Sequence, residues 1–372
     1  MAASTVVVTG AGGFLGWHLR CRLRAVSAHE VVPVYRADWC PERLAQVVAS
    51  AGTVVHLAGV NRGADADVEQ GNVQLAEDLV RALDEAGGRP RLVFANSVQA
   101  GADTPYGRGK AAAARLLSRW ASQRGTPFAD VVLPNVFGEH GRPFYNSFVA
   151  TFCHQLVAGE RPRVVDDRTL PMLPAQWAAQ VLGEAIDGGV AGTVDAPAQR
   201  HGVGEVLARL QQIHARYRCG ELPGSADPFD RALFNTYRSF LPPAQWELPL
   251  PVRTDPRGRL VEWVRSHGGS GQGFVSSTRP GQRRGDHFHL EKVERFVVLS
   301  GQGRILLRRL LTDQMVTVAV DGERPVAVDM PTLWAHALVN GGERDLLTMF
   351  WVDELYDPQR ADTFPEPVDS QR

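Results

Sequence analysis

The sequence predicts two architectures in one chain: an α/β, doubly wound parallel sheet first, then an all-β antiparallel barrel or jelly roll. Three observations predict this. Strand and helix patterns alternate through the first half. After about Phe240 the helical period disappears. From there, short strand-like runs separated by Gly, Asp and Pro continue to the end. A length of 372 residues is more than one hydrophobic core usually serves, so two domains are expected.

In the first half, Ser4–Thr9 reads as a buried strand, followed by a Gly-rich turn and a helix from Phe14 to Ala25. Val31–Val34 is the second strand, Pro41–Ser50 a short helix, and Thr53–His56 the third strand. Apolar residues at Val73, Leu75, Leu79, Val80 and Leu83 mark a helix that Gly87-Gly88 ends. Leu92–Asn96 is a strand, Tyr106–Gln123 a helix and Phe128–Leu133 a fifth strand. In the second half the predicted strands are Leu260–Val264, Gly273–Thr278, Arg295–Leu299, Gly303–Leu310, Met315–Val320, Pro325–Asp329, Ala335–Val339 and Leu346–Trp351. Pro242-Pro243 and Pro249-Leu-Pro251 form a stiff connection, which places the domains at 1–243 and 244–372. The tail from about Glu366 is expected to fray.

Composition narrows the function. The chain is 44% hydrophobic and 22% charged with a net charge of -1, so no basic field points to nucleic acid or a membrane surface. The cysteines (Cys21, Cys40, Cys153, Cys219) form no C-x-x-C pair, which fits a reducing compartment. Met1 to Val8 runs straight into a strand without a signal-peptide pattern, and no apolar run approaches the roughly 20 residues of a membrane span. A cytoplasmic protein is expected.

Gly10, Gly13 and Gly16 stand three apart, after a strand and opening a helix. Glycine permits the turn and lets the backbone approach a pyrophosphate at the helix N-terminus. Downstream, Tyr106 and Lys110 share a helix face four residues apart. An ammonium near a phenol favours the phenolate and lowers its pKa, and such a tyrosine can protonate a carbonyl oxygen. Ser97 can hydrogen-bond the same carbonyl. These residues, with His56-Leu57-Ala58-Gly59, resemble the extended short-chain dehydrogenase/reductases, whose nucleotide domain is Rossmann-like. The resemblance implies Tyr106 as catalytic acid, Lys110 as its partner and ribose ligand, and Ser97 as carbonyl orienter. It further implies a cofactor groove of Gly10, Gly13, Phe14, Leu15, Gly16, Leu57, Ala58 and Gly59. Only about 40 residues separate Gly16 from His56, so the adenine-ribose end of the sheet is abbreviated. Arg36 and Arg20 suit a 2′-phosphate and Asp38 a 2′-hydroxyl. Arg36 after the second strand favours NADPH, with NADH the alternative.

In the second half, Gly281, His287, His289, Glu294 and Gly301 follow a G-x5-H-x-H-x4-E-x6-G spacing, with His336 and Asn340 further on. Histidines at alternate strand positions face the same way. Three imidazoles and a carboxylate suit zinc, nickel, iron or manganese, zinc being preferred here. The spacing resembles the cupin family, which implies His287, His289, Glu294 and His336 as ligands of one divalent ion. Leu333 stands where that family has a glycine, and Pro325 where an earlier one is usual.

Further stretches carry a narrower resemblance along nearly the whole chain. They include His56-Leu-Ala-Gly-Val-Asn-Arg62, Gly71-Asn72, Pro134-Asn-Val-Phe-Gly138, Arg142-Pro-Phe-Tyr-Asn-Ser147, Met349-Phe-Trp-Val-Asp-Glu354 and Asp362-Thr363. These resemble the bifunctional capsule-sugar enzymes of the CapF type. That resemblance implies a UDP-linked 4-keto-6-deoxy amino sugar as substrate. The cupin would epimerise its carbon 3, and the reductase domain would then reduce the carbon-4 ketone. Asn135, Arg142, Tyr145 and Asn146, beyond the fifth strand, are candidate uridine-diphosphate or sugar contacts. A homodimer is expected, since cupin barrels often pair through their sheets. Three alternatives stay open: a cupin that only supports the fold or a dimer, a non-catalytic nucleotide-binding protein, and the same chemistry on another sugar.

Overall fold

The computed structural model describes residues 4–224, 226–256 and 258–369. In chain order the elements through the first sheet are β1 (Thr5–Thr9), α1 (Phe14–Val26), β2 (Glu30–Val34), α2 (Pro41–Val48), β3 (Thr53–His56), α3 (Asp65–Ala86), β4 (Arg91–Ser97), α4 (Pro105–Arg124) and β5 (Phe128–Leu133). There follow β6 (Asn135–Phe137), α5 (Phe148–Val157), β7 (Thr169–Pro174), α6 (Ala175–Ile186), β8 (Gly192–Asp195), β9 (Gln199–Gly202), α7 (Val203–Arg218) and α8 (Pro228–Arg238). The remainder is β-structure: β10 (Glu247–Pro249), β11 (Val252–Asp255), β12 (Gly258–Val261), β13 (Gln272–Thr278), β14 (Arg283–Phe288), β15 (Glu294–Ser300), β16 (Gln302–Arg309), β17 (Met315–Asp321), β18 (Val326–Met330), β19 (Trp334–Asn340), β20 (Leu346–Val352) and β21 (Phe364–Pro365).

Two compact units emerge. One comprises residues 1–136 and 170–201, the other 137–169 and 202–372. The change from helical to strand pattern falls after α8, where the sequence places it, but the helices α5, α7 and α8 pack with the second unit.

The first unit is a six-stranded parallel sheet in the order β2-β1-β3-β4-β5-β8. Its strands are apolar on both faces. Val6 and Val8 enter one core with Leu19, Val55, Val93 and Leu182. Val7 enters the other with Val54, Leu79, Leu92, Phe94 and Leu117. That alternation is what a sheet covered by helices on both sides requires. The sheet ends at β2 on the side where the sequence predicts abbreviation. Because β1 lies between β2 and β3, the winding reverses there and opens a crevice at the carboxyl ends of β1 and β3.

The second unit contains two five-stranded antiparallel sheets, β10-β18-β15-β20-β13 and β17-β16-β19-β14-β21, plus the hairpin β11-β12. Strand signals missed from the sequence include β10, which the Pro-rich connection conceals, and β14, whose ladder is broken by a bulge between Gly285 and His287. The tail does not fray as expected. Val368 is buried, and the Arg308 guanidinium donates to the Val368 carbonyl (2.8 Å), the Pro367 carbonyl (2.9 Å) and Glu366 (2.7 Å). Residues 370–372 lie outside the described residues. Among the described residues, no helix is long and apolar enough to cross a membrane.

Candidate active sites

The Gly-rich turn occupies the crevice of the parallel sheet. Gly10 has φ +66°, and a Cβ there would lie 2.7 Å from the Ala58 nitrogen. Glycine is therefore required twice over, for the positive φ and for the approach of the β1 turn to Leu57 and Ala58. A Cβ on Gly16 would fall 2.3 Å from the Gly10 carbonyl oxygen, so α1 can start only against a bare backbone. Gly13 is the N-cap of α1, with no capping side chain and no acidic residue in the first turn. These are conditions for an anion at the helix N-terminus, and the cradle fits a dinucleotide pyrophosphate. Phe14 packs edge-on to His18 at 4.8 Å, and Leu15 lies partly buried against the core.

Thr9 closes the crevice from below. Its hydroxyl accepts from the Leu57 and Ala58 nitrogens (3.2 and 3.3 Å) and lies 2.9 Å from His56 Nδ1. With both lone pairs used, its proton goes to His56 Nδ1, so the imidazole is neutral. Burial, with Lys110 adding to it, pushes His56 down to about 3. Next to it, Asn72 clamps the loop through Val60, accepting from its nitrogen (3.2 Å) and donating to its oxygen (2.6 Å). A Cβ on Gly59 would sit 3.1 Å from the Asn72 oxygen. Arg36 is exposed just beyond β2, in a short turn where Asp38 accepts from the Tyr35 nitrogen (2.9 Å). Arg20 lies 5.5 Å from the Tyr35 ring, and Tyr35 also touches the Gly12 position. Tyr35 is a neighbour of the turn that motif reading missed.

Ser97 ends β4, and Tyr106 sits in the first turn of α4. Thr104 caps that helix by accepting from the Gly107 nitrogen (3.0 Å). The two glycines of Tyr-Gly-Arg-Gly-Lys let α4 press against its neighbours. Added Cβ atoms would meet the Gln99 oxygen at 2.3 Å and the Glu69 oxygen at 2.8 Å. The structure brings Ser97 and Tyr106 together: burial raises the phenol pKa, and a hydrogen bond to Ser97 opposes the rise. The expected lowering by Lys110 is not what the geometry gives. Lys110 is buried, donates to the Ala95 carbonyl at 2.5 Å and lies 3.9 Å from the Phe94 ring centroid. Burial pushes this ammonium down to about 7, with Asp130 opposing. Tyr106 is thus held protonated at neutral pH.

Asn135 donates to the Pro171 carbonyl (2.9 Å), which ties β6 to β7. Arg142 and Tyr145 come together in the second unit, the guanidinium 5.0 Å from the ring. Asn146 lies exposed next to them.

In the β-rich unit, His287 (β14), His289 just past that strand, Glu294 (β15) and His336 (β19) converge from both antiparallel sheets. Their ligand atoms all lie within 4.8 Å of one another. Glu294 Oε2 is 3.0 Å from His289 Nε2, 3.2 Å from His336 Nε2 and 3.9 Å from His287 Nε2. Burial opposes the Glu294 charge, but the three histidine contacts outweigh it and hold the carboxyl well below its usual range. Burial and the neighbouring imidazoles push His336 down to about 4 against Glu294. At pH 7 it is neutral, so its contact with Glu294 is not an ion pair.

The backbone orients two of the rings. His289 Nδ1 faces the Asp362 carbonyl at 2.6 Å and His336 Nδ1 the Trp334 carbonyl at 3.2 Å. A carbonyl only accepts, so each Nδ1 is placed to donate to the backbone. These contacts turn both Nε2 atoms toward Glu294, so the ring nitrogens and the carboxylate converge where a cation could be shared. The four residues thus fit a divalent ion. Leu333 takes a glycine-like conformation (φ +64°), donates to the His289 carbonyl (2.9 Å) and accepts from the Leu310 nitrogen (3.0 Å).

Beside the cluster is a cavity of about 310 Å³ lined by His287, His289, Glu294, Lys292, Glu354 and Tyr356. Sequence reading missed Lys292, whose ammonium donates to the Ala361 carbonyl (2.9 Å) and the Thr363 hydroxyl (2.6 Å). It also missed Asp362, whose carboxylate accepts from the nitrogens of Leu290, Glu291 and Lys292 (2.9, 2.9 and 2.7 Å). Asp362-Thr363 had entered only as a point of resemblance.

A dinucleotide crevice with a Ser-Tyr pair, followed by a double-sheet β domain, defines the class as a nucleotide-linked reductase or epimerase with an added β domain. Residues 6–170 match the NAD dependent epimerase/dehydratase family, and residues 253–364 match the polysaccharide biosynthesis C-terminal domain. The chain is 32% identical over 365 residues to UDP-2-acetamido-2,6-beta-L-arabino-hexul-4-ose reductase of Pseudomonas aeruginosa strain PA103, covering 96% of this chain and 97% of that protein. The crystal structure of the capsular polysaccharide assembling protein CapF from Staphylococcus aureus matches with a TM-score of 0.64 and 31% identity, over 97% of this chain and 99% of that one. RMD from Pseudomonas aeruginosa, solved with NADPH, shares the fold of the first part at 22% identity and a TM-score of 0.51, covering 57% of this chain and 82% of that one. The chain belongs to the CapF-type family of sugar-nucleotide reductases and epimerases. It is a sugar-nucleotide oxidoreductase.

Proposed function

We propose that the β-rich domain epimerises carbon 3 of a UDP-2-acetamido-2,6-dideoxy-4-hexulose, and that the dinucleotide domain reduces the carbon-4 ketone with NADPH to a UDP-2-acetamido-L-6-deoxytalose. The observation that carries this reading is the four-donor cluster opening on a cavity, in a chain that also holds Ser97, Tyr106 and Lys110 at a dinucleotide crevice. The match to a named 4-keto-sugar reductase along nearly its whole length supports the substrate class.

For the reduction, Gly10, Gly13 and Gly16 would hold the pyrophosphate at the α1 N-terminus, Leu57, Ala58 and Gly59 would line the groove, and Arg36 would suit the 2′-phosphate. NADPH, when bound, supplies the hydride. Tyr106, kept protonated by burial, gives its proton to the carbon-4 oxygen, while Ser97 donates a hydrogen bond to the same oxygen. Lys110 presents an ammonium to the ribose and to the phenolate left behind. Arg142, backed by Tyr145, suits the diphosphate of the sugar nucleotide.

For the epimerisation, the ketone acidifies the carbon-3 hydrogen. A divalent ion held by His287, His289, Glu294 and His336, zinc by preference, would supply Lewis acidity. Lys292 places a cation on the cavity wall, where it can hydrogen-bond the oxygen on which negative charge develops.

The test is incubation of the protein with the UDP-4-keto sugar in deuterated water, with and without NADPH. Deuterium entering carbon 3 without NADPH, and lost in His287→Ala, is the expected result. NADPH oxidation is expected to fall by about 10²-fold or more in Tyr106→Phe. Reduction without any exchange would demote the β-rich domain to a support. Absence of both reactions would overturn the sugar assignment.

A further inference from the structure

Lys110 is only 4% exposed, and its fixed contacts are the Ala95 carbonyl and the Phe94 ring face. Neither carries a charge, so an ammonium there has lost its water without gaining a formal counter-ion from either. The next strand carries a carboxylate on the same side of the sheet. In the parallel register of β4 and β5, Asp130 stands opposite Phe94. In-register residues share a face, and Phe94 faces the α4 side, where it packs with Ala113 and Leu117. Asn96, two residues further along β4, faces the same way and donates to Asp130 Oδ2 at 3.1 Å. Asp130 Oδ1 is buried and takes no hydrogen bond.

We infer that Asp130 is a positioning residue for the reduction: its carboxylate provides the counter-charge for the Lys110 ammonium. Through Asn96, whose Oδ1 accepts from the Ser97 nitrogen (2.9 Å), it also steadies the end of β4. The inference rests on the reductase reading of Ser97, Tyr106 and Lys110. The two buried groups act on each other in the required sense. Burial raises the Asp130 carboxyl, while Asn96 and Lys110 oppose the rise. Burial lowers Lys110, and Asp130 is what opposes it. Among the described residues, the other groups named around Lys110 offer no free anion. His56 on β3, stacked on Phe94 at 5.7 Å, is neutral, and Tyr106 on α4 is a protonated phenol. Glu69 on α3 is engaged with Arg108 at 2.8 Å.

The experiment uses the full chain, comparing Asp130→Asn and Asp130→Glu with the wild type. Lys110 is titrated by NMR of ¹³C-labelled lysine, its signal assigned with Lys110→Met. In parallel, NADPH oxidation with the UDP-4-keto sugar is followed as a function of pH. In Asp130→Asn the Lys110 midpoint is expected to fall by about one unit or more, with the alkaline limb of kcat/KM moving acidward by the same amount. Above both limbs that is about a tenfold loss per unit, recovered on lowering the pH. Asp130→Glu, which keeps the charge, is expected to restore most of the midpoint. An unchanged midpoint in an active Asp130→Asn enzyme overturns the inference, as does an Asp130→Glu midpoint as low as that of Asp130→Asn. A wild type that leaves NADPH untouched overturns the reductase reading instead, a separate result.

Discussion

Leu333 shows how two opposed single-residue terms are weighed. Its left-handed backbone, at φ +64°, costs about 1–2 kcal/mol for a residue with a Cβ. Its side chain is fully buried, and removing a buried leucine side chain costs about 3–5 kcal/mol. Burial therefore wins. Leu333→Gly is expected to destabilise the β-rich unit by a net ~1–4 kcal/mol, read as a lowered thermal midpoint. An unchanged or raised midpoint would show that backbone strain dominates. The substitution in the sequence is thus a trade of turn comfort for core. The same scale explains His56, which reads as a motif residue and serves as a neutral partner of Thr9 under the crevice.

At the scale of elements, the cluster is assembled by three strands and a returning tail segment. The β14 bulge, with Asp286 at φ +56°, turns His287 toward the centre, and β15 begins at Glu294. The segment around Asp362 then orients His289 through a carbonyl and gathers the backbone from Leu290 to Lys292 with a carboxylate. Asp362 has φ +36°, a conformation asparagine tolerates, so Asp362→Asn changes the acceptor and spares the turn. That variant is expected to bind zinc about 10–100-fold more weakly in chelator competition, since ligand-orienting partners carry that share of affinity. Equal affinity would mean that the strands alone hold the ligands. The spacing of His287, His289 and Glu294 was legible because those residues are close in the chain. Asp362 and Lys292 were not, because their role depends on where a tail some 70 residues away returns, as the separations of their bonds show.

At the scale of the whole molecule, buried ionisable groups set a pH dependence of stability with opposing signs. Burial, reinforced by Glu291, pushes the Glu139 carboxyl up to about 7, against its own backbone hydrogen bond, Thr332 and Arg238. The folded state therefore binds this proton more tightly than the unfolded chain. Its contribution is complete below about 4.5 and is lost as pH rises through about 7. His56 runs the other way: its folded value lies near 3 against 6.5, so its contribution is complete above 6.5 and lost as pH falls toward 3. Glu139→Gln keeps an acceptor for Thr332, which donates to Glu139 at 2.8 Å, and removes the charge. It is expected to stabilise the protein at pH 8 by up to about 3 kcal/mol, seen as a raised thermal midpoint, with the advantage gone at pH 4.5. A difference that does not vary with pH would mean that Glu139 does not titrate in this window.

The chain's own pattern determined the alternation of β1–β5 with α1–α4, the glycine turn, the Tyr106–Lys110 spacing and the first three members of the cluster. These are local properties: strand and helix periods orient neighbours in the chain whatever lies across from them. Tertiary structure alone decided which distant groups meet. It set Asp130 opposite Phe94 in the sheet, Asp362 behind His289 and Thr332 on Glu139, and it bound the tail as far as Val368. Such pairs depend on sheet register and on the return of distant segments, and their energies come from burial, which no local spacing encodes.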